Sequence, residues 1–303
     1  MQRRQIGSLD VSVVGLGCNN FGARLDATAT AIVVHAALDA GIDFFDTATI
    51  YGGGRSEEFL GRALRGCRDH AIIASKFGHS SEGVERTRPE YVHRAVDASL
   101  SRLGAEHIDL YQVHEPIAGV PIADTLGALN ELVRTGKIRE IGCSNFSAVQ
   151  LREAAGAVVP GAARFVSIQN EYSLLQREPE REVLAECARL GVAFLPYFPL
   201  ANGLLTGKYH KGKPAPPGTR LAAGGKATLL TDENLDRVEA LATVAEASRH
   251  TLLELAVSWL LVHPAVASVI AGATSADQAR ANAAAASWRL DPATLANIDA
   301  AVA

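Results

Sequence analysis

Short apolar runs alternate with helix-length amphipathic stretches eight times along the chain, and this rhythm constrains the fold more than any other feature. Strand-like runs fall near 13–17, 43–46, 71–76, 108–114, 138–144, 166–170, 193–197 and 268–271. Helical periodicity fills 28–40, 56–64, 89–103, 122–135, 148–155, 179–190, 235–261 and 275–286. Ahead of them, Gly7-Ser8-Leu9-Asp10 predicts the turn of an N-terminal β-hairpin. Arg88-Pro89 places a proline at a helix start, and Gly41, Gly66, Gly104, Gly136 and Gly191 stand where helices end. Parallel strands need right-handed crossovers, so eight such units in 303 residues close most simply into an α/β fold, a (β/α)8 TIM barrel with an N-terminal β-hairpin. No domain-scale linker interrupts it, so one domain over 1–303 is expected.

The competing architecture is an open doubly wound sheet, which needs a dinucleotide fingerprint. The nearest candidate, Gly15-Leu16-Gly17-Cys18-Asn19-Asn20-Phe21-Gly22, has Asn20 where the third glycine must let a helix pack on its strand. Gly203-Leu204-Leu205-Thr206-Gly207-Lys208-Tyr209 glances at a phosphate loop but has one residue too few between glycines and no Ser or Thr after the lysine. Both motifs fail as written.

Composition narrows the function classes. With 29 Lys+Arg against 33 Asp+Glu, a net charge of −4, the chain has no general attraction to nucleic acid or anionic membranes. No apolar run approaches the roughly 20 residues that span a bilayer, and the polar start Met1-Gln2-Arg3-Arg4-Gln5 is unlike a signal peptide, so a cytoplasmic location is expected. Cys18, Cys67, Cys143 and Cys187 are isolated, which points away from both a disulfide framework and a metal site.

Chemistry in a barrel gathers at the C-terminal ends of its strands, so side-chain parity there is informative. Asp46 ends its run; Lys76 ends another and shares a face with Ala74 and Ile72; His114 shares a face with Ile108, Leu110 and Gln112. Tyr51 follows Asp46 by five residues and can fold back over the same mouth. Asp46, Tyr51, Lys76 and His114 together make a general acid: an ammonium stabilises a phenolate, the aspartate aims the ammonium, and the imidazole bonds a carbonyl oxygen or relays a proton. The stretch 201–231 contains Lys208, Lys211, Lys213, Arg220 and Lys226 with no Asp or Glu, and it follows the seventh strand, where barrels often bind phosphate. It is expected to be a long cofactor-covering loop over about 200–231.

Phe44-Phe45-Asp46-Thr47-Ala48-Thr49-Ile50-Tyr51-Gly52, with Ser56-Glu57 and Leu60-Gly61 behind it, resembles the aldo-keto reductase signature. Ala74-Ser75-Lys76, Asp109-Leu110-Tyr111-Gln112-Val113-His114, Gly142-Cys143-Ser144-Asn145-Phe146, Gln169-Asn170-Glu171-Tyr172 and Gly272-Ala273-Thr274-Ser275 stand in that family's order. The run from Pro199 to Tyr209 is similar to the family's longer-loop branch, which includes bacterial reductases and potassium-channel beta subunits.

The resemblance implies a barrel that reduces aldehydes or ketones with NADPH, NADH being the possible substitute. It assigns Asp46, Tyr51, Lys76 and His114 to catalysis, and Ser144, Asn145 and Gln169 to a carboxamide. Tyr197 would stack on the nicotinamide, with Gly17, Cys18 and Asn19 beside it. Phe198, Pro199, Leu200, Gly203, Leu204 and Lys208 would follow the pyrophosphate, and Gly272, Ser275, Gln278 and Asn282 would hold the adenosine end. Substrate would meet Asn20, Phe21, Phe77 and Glu115. Two departures stand out: Phe198 replaces a common serine, and Gly272 and Gln278 replace a lysine and an arginine that read the 2′-phosphate elsewhere in the family. A cofactor-binding barrel that acts mainly as an interaction subunit is the alternative. A phosphate-sugar isomerase on the same barrel matches the residues less well.

Overall fold

The computed structural model describes residues 1–83, 88–116, 119–222 and 227–302. Eight parallel strands close into a barrel: β3 (Val14–Gly17), β4 (Phe44–Asp46), β5 (Ile72–Phe77), β6 (Ile108–Val113), β7 (Ile138–Ser144), β8 (Phe165–Glu171), β9 (Ala193–Tyr197) and β10 (Val269–Gly272), with β10 pairing back onto β3. They are preceded by the antiparallel hairpin β1 (Arg3–Ile6) and β2 (Leu9–Ser12), in which Ile6 pairs with Leu9 across the two-residue turn Gly7-Ser8. Leu9 and Asp10, expected in the turn, are therefore strand residues.

Two apolar cores follow from the period-2 alternation of the strands. The inner one holds Phe44, Ala74, Leu110, Leu195 and Ile270, and the hairpin adds Ile6, Leu9 and Val11 to it. Because Ser8 N–H donates to Glu140 near the start of β7, the hairpin plugs the N-terminal end of the barrel. Chemistry is left to the other end. Gly15 belongs to this packing: a Cβ there would lie 2.8 Å from Phe44 and 2.9 Å from Ile270. The glycine that resembles part of a nucleotide fingerprint thus serves barrel closure.

The outer core lies between the strands and helices α1 (Ala27–Asp39), α2 (Arg55–Ala63), α3 (Pro89–Leu103), α4 (Ile122–Arg134), α5 (Ala148–Gly156), α6 (Val183–Leu190), α7 (Asp232–Ala247), α8 (Leu252–Val262), α9 (Ala276–Ala284) and α10 (Pro292–Val302). The pattern over 235–261 is two helices, not one. Arg249 takes φ 60°, and Thr251 starts α8 with a reciprocal cap in which its hydroxyl accepts from Glu254 N–H while its own N–H donates to the Glu254 carboxylate. Helical periodicity in the sequence ends at 286, but the chain forms one more helix: α10 is started by Asp291, which accepts from Thr294 N–H at 2.7 Å, followed by Pro292.

Gly61 lets α2 approach the end of α3. A Cβ there would overlap the Leu103 carbonyl oxygen and lie 2.6 Å from its carbon. Because backbone cannot rotate away, Gly61→Ala is expected to destabilise the fold by about 3 kcal/mol, the upper end of overpacking costs. A urea midpoint equal to that of the parent protein would refute this close approach.

Candidate active site

At the open end of the barrel, parity delivers a buried polar layer. Asp46 ends β4 and Lys76 sits in β5 one residue before its end, both pointing inward; Lys76 Nζ donates to Asp46 Oδ2 at 2.6 Å and to the Thr47 carbonyl at 3.0 Å. The pair is almost sealed, with side-chain exposures of 1% and 4%. Asp46 Oδ1 accepts from Gln169 at 2.9 Å and from Gln112 at 3.3 Å. A buried ion pair is tolerated only when its remaining hydrogen-bonding capacity is filled, and these amides fill it.

Tyr51 reaches this layer from the turn Tyr51–Gly54, whose glycines take φ 59°, 68° and 89°. Left-handed backbone at three successive positions is open to glycine but strained for other residues. Gly52 also has no room for a side chain, since a Cβ would lie 2.7 Å from the Phe21 carbonyl oxygen. The turn is thus wedged against the loop after β3, with the Tyr51 ring centroid 5.2 Å from Lys76 Nζ. His114, one residue beyond β6, places its ring 6.0 Å from that of Tyr51.

Enclosure raises the Tyr51 phenol above its ordinary pKa, while Lys76 pulls it down by charge and hydrogen bonding. The net direction is upward, opposite to what the ammonium alone leads one to expect, so the phenol keeps its proton at neutral pH. Burial works against the Lys76 ammonium, but Asp46 and Tyr51 outweigh it and hold its pKa above the usual value. Burial, together with Lys76 and His79, pushes His114 down to about 2. Its imidazole is neutral in the physiological range, and its buried Nδ1 has no hydrogen-bond partner. The arrangement can donate a proton from a phenol and a hydrogen bond from a neutral imidazole to one oxygen.

A cavity of about 1040 Å³ runs from this cluster across the barrel mouth, at the top of the roughly 300–1,000 Å³ usual for small-molecule sites. Along it, Ser144 Oγ donates to the Gln169 carbonyl at 2.7 Å, Asn145 Nδ2 donates to the His114 carbonyl at 2.9 Å, and Tyr197 Oη donates to Asn145 Oδ1 at 2.9 Å. Positive φ values at Asn145, Phe198 and Asn202 gather on its wall, as strained backbone does at functional sites. Further along stand Arg24, Lys208 and Arg220. The only carboxylates among the described lining residues are Asp46 and Glu115. Such a cavity suits an elongated, anionic ligand.

Of the residues expected to meet cofactor, Gly17, Cys18, Asn19, Asp46, Ser144, Asn145, Gln169, Tyr197, Phe198, Pro199, Leu200, Gly203, Lys208, Gly272, Gln278 and Asn282 line this cavity. Leu204 does not: it is fully buried in the outer core. Ser275 stands behind the lining, its hydroxyl capping α9 by accepting from Gln278 N–H. Asn20 and Glu115 line the substrate end, whereas Phe21 and Phe77 are corrections. Phe77 follows the inward Lys76, so alternation turns it outward, where it stacks on Tyr111 at 4.9 Å. Phe21 is also sealed in the outer core.

The basic loop divides. Lys208 and Arg220 line the cavity, Lys211 pairs with Asp236 of α7 at 2.6 Å, and Lys226 lies outside the described residues. Phe198, in place of a hydroxyl, carries the Arg220 guanidinium 5.6 Å from its ring centre. Sequence reasoning missed Arg24 and His79 as lining residues. Both lie on loops after barrel strands, the one signal that could have found them.

The family model of the aldo/keto reductases matches residues 13–303. The chain is 36% identical to the aldo-keto reductase yakc, NADP(+), of Schizosaccharomyces pombe over 85% of this chain and 78% of that one. It is 33% identical to a probable voltage-gated potassium channel subunit beta of Arabidopsis thaliana, over 93% of this chain and 90% of that one. The solved glycerol dehydrogenase AKR11B4 from Gluconobacter oxydans superposes with a TM-score of 0.86 at 28% identity, covering 99% of this chain and 94% of that one. The aldo-keto reductase AKR11C1 from Bacillus halodurans gives 0.82 at 32% identity, covering 100% and 97%. With a family match spanning the whole barrel, the chain belongs to the aldo/keto reductase family and is an oxidoreductase.

Proposed function

We propose that the protein reduces aldehydes or ketones with NADPH, using Tyr51 as the general acid. The observation that carries this is the sealed Lys76–Asp46 pair at 2.6 Å, with Lys76 Nζ 5.2 Å from the centre of the Tyr51 ring. Tyr51 holds the proton at neutral pH, and the ammonium beside it stabilises the phenolate that proton transfer leaves behind. His114, neutral, aims a hydrogen bond at the same carbonyl oxygen and polarises it. When bound, reduced nicotinamide supplies a hydride for the carbonyl carbon. Asn145, Gln169 and Ser144 would hold its carboxamide, and Tyr197 would face its ring. The assembly of proton donor, activator and carbonyl-binding group favours turnover over a purely regulatory role.

Arg24, Lys208 and Arg220 support a cofactor with extra phosphate, because the 2′-phosphate adds about two negative charges. NADPH is expected to bind at least tenfold more tightly than NADH, about 1.4 kcal/mol, and this advantage should shrink as salt screens the cations. Fluorescence titration of the cofactor-free protein at low and high salt checks it. Equal dissociation constants, or tighter NADH binding, would overturn the NADPH preference and leave Gly272 and Gln278 as marks of a dual or NAD-selective pocket.

A further inference from the structure

On the reading of Tyr51 as the general acid, we infer that Glu57 is a positioning residue that sets, from outside the cavity, where the phenol stands relative to the Lys76–Asp46 pair. Glu57 lies in the first turn of α2, directly after the glycine turn that carries Tyr51, and is fully buried away from the cavity lining. Its Oε1 accepts from Ser75 Oγ at 2.5 Å, and its Oε2 accepts from Arg102 Nε at 2.6 Å. Ser75 immediately precedes Lys76 on β5, so alternation turns it outward to α2 while Lys76 points at Asp46. The carboxylate thus joins the turn that carries the acid to the strand that carries its activator.

The turn cannot hold the phenol by itself. Glycine has no side chain to fix its backbone, and a Cβ at Gly53 would meet nothing within 4 Å. Position comes from the flanks. On one side Gly52 abuts the Phe21 carbonyl. On the other, Ser56 Oγ donates to the Cys18 carbonyl at 2.9 Å, which leaves the Thr47 hydroxyl as the donor to Ser56 Oγ at 2.8 Å. Thr47 follows Asp46, and its carbonyl accepts from Lys76. Ser56 and Glu57, consecutive in α2, are therefore fastened to the two strands that present Asp46 and Lys76. Arg102 of α3 locks the second fastening. Its charge-assisted bond holds Glu57 from behind, and its Cδ lies 3.0 Å from where a Gly54 Cβ would stand, so its stem closes the back of the turn.

Glu57→Gln keeps the size of the side chain but sets an amide N–H against a donor, Ser75 or Arg102, so one fastening is lost. With saturating NADPH and the best substrate of an aldehyde panel, its single-turnover rate should fall at least about tenfold, since a misplacement on the order of 1 Å costs about 10²-fold. Ser75→Ala leaves the Glu57–Arg102 pair intact and should lose about threefold or more. The deciding comparison repeats both substitutions on Tyr51→Phe, where the acid is already gone. Residues that act through one group are non-additive, so the slow residual rate should there change by less than about twofold. General damage to the fold lowers the rate by the same factor with or without the Tyr51 hydroxyl. NADPH affinity, read by fluorescence titration, should hold, because neither residue lines the cavity. Equal losses in both backgrounds, no loss from either substitution, or a loss that tracks weakened NADPH binding overturns the inference and leaves Tyr51 as the acid. A parent enzyme that reduces no carbonyl compound with NADPH or NADH, or a Tyr51→Phe variant as fast as the parent, overturns the proposed function, and this inference with it.

Discussion

Tyr51→Phe is expected to lower turnover by about 10²–10⁴-fold, the loss typical of a removed general acid, while cofactor affinity and stability change little. The ring stays the same size, and the glycine turn that wedges it against the Phe21 carbonyl does not depend on the hydroxyl. Lys76 keeps both of its acceptors, Asp46 Oδ2 and the Thr47 carbonyl, so the ammonium remains satisfied. Single-turnover reduction at saturating cofactor separates the chemical step from binding. Near-normal rates in the folded variant would exclude Tyr51 as the proton donor.

Lys76→Met should cost both activity and stability. Without the ammonium nothing stabilises the phenolate left when Tyr51 gives up its proton, and carbonyl reduction near neutrality should fall to the level of the Tyr51 variant or below. The same substitution leaves Asp46 buried with only the two amides as partners, and breaking a buried pair in this way costs about 3–5 kcal/mol. The pH dependence has a definite sign. The folded protein holds the Lys76 proton more tightly than the unfolded chain does, so its contribution is fully present below the unfolded pKa of about 10.4 and is lost as pH rises through the higher folded value. On the alkaline side the stability gap between parent and variant should therefore hold from neutrality up to the unfolded pKa and narrow only beyond it. A gap that closes between about pH 8 and 10 would show that another group controls it, and an unchanged pH–rate profile would refute the coupling of Lys76 to Tyr51.

The sequence by itself determined the barrel and the catalytic face, because both are written in local periodicity. Eight apolar runs separated by helical patterns identify the strands, and the two-residue alternation within each run decides which side chains point inward. Asp46, Lys76 and His114 fall on that face by counting alone. Counting also shows why Phe77 cannot, since it follows Lys76. The helix beyond residue 286 was not read from the sequence; its cap at Asp291 followed by Pro292 came from the structure. Tertiary structure decided what depends on groups distant in sequence. Phe21 is buried because its loop packs against the Tyr51 turn, and Lys211 turns away because α7 brings Asp236 within reach. Arg24, 196 residues before Arg220, comes to the same cavity because the loops after β3 and β9 converge; its guanidinium donates to the Gly218 carbonyl at 2.8 Å. The upward shift of Tyr51 likewise depends on how completely the folded site excludes water. Periodicity fixes the direction of a side chain relative to its own backbone, but its partners and its solvation are set by loops whose path carries no repeat.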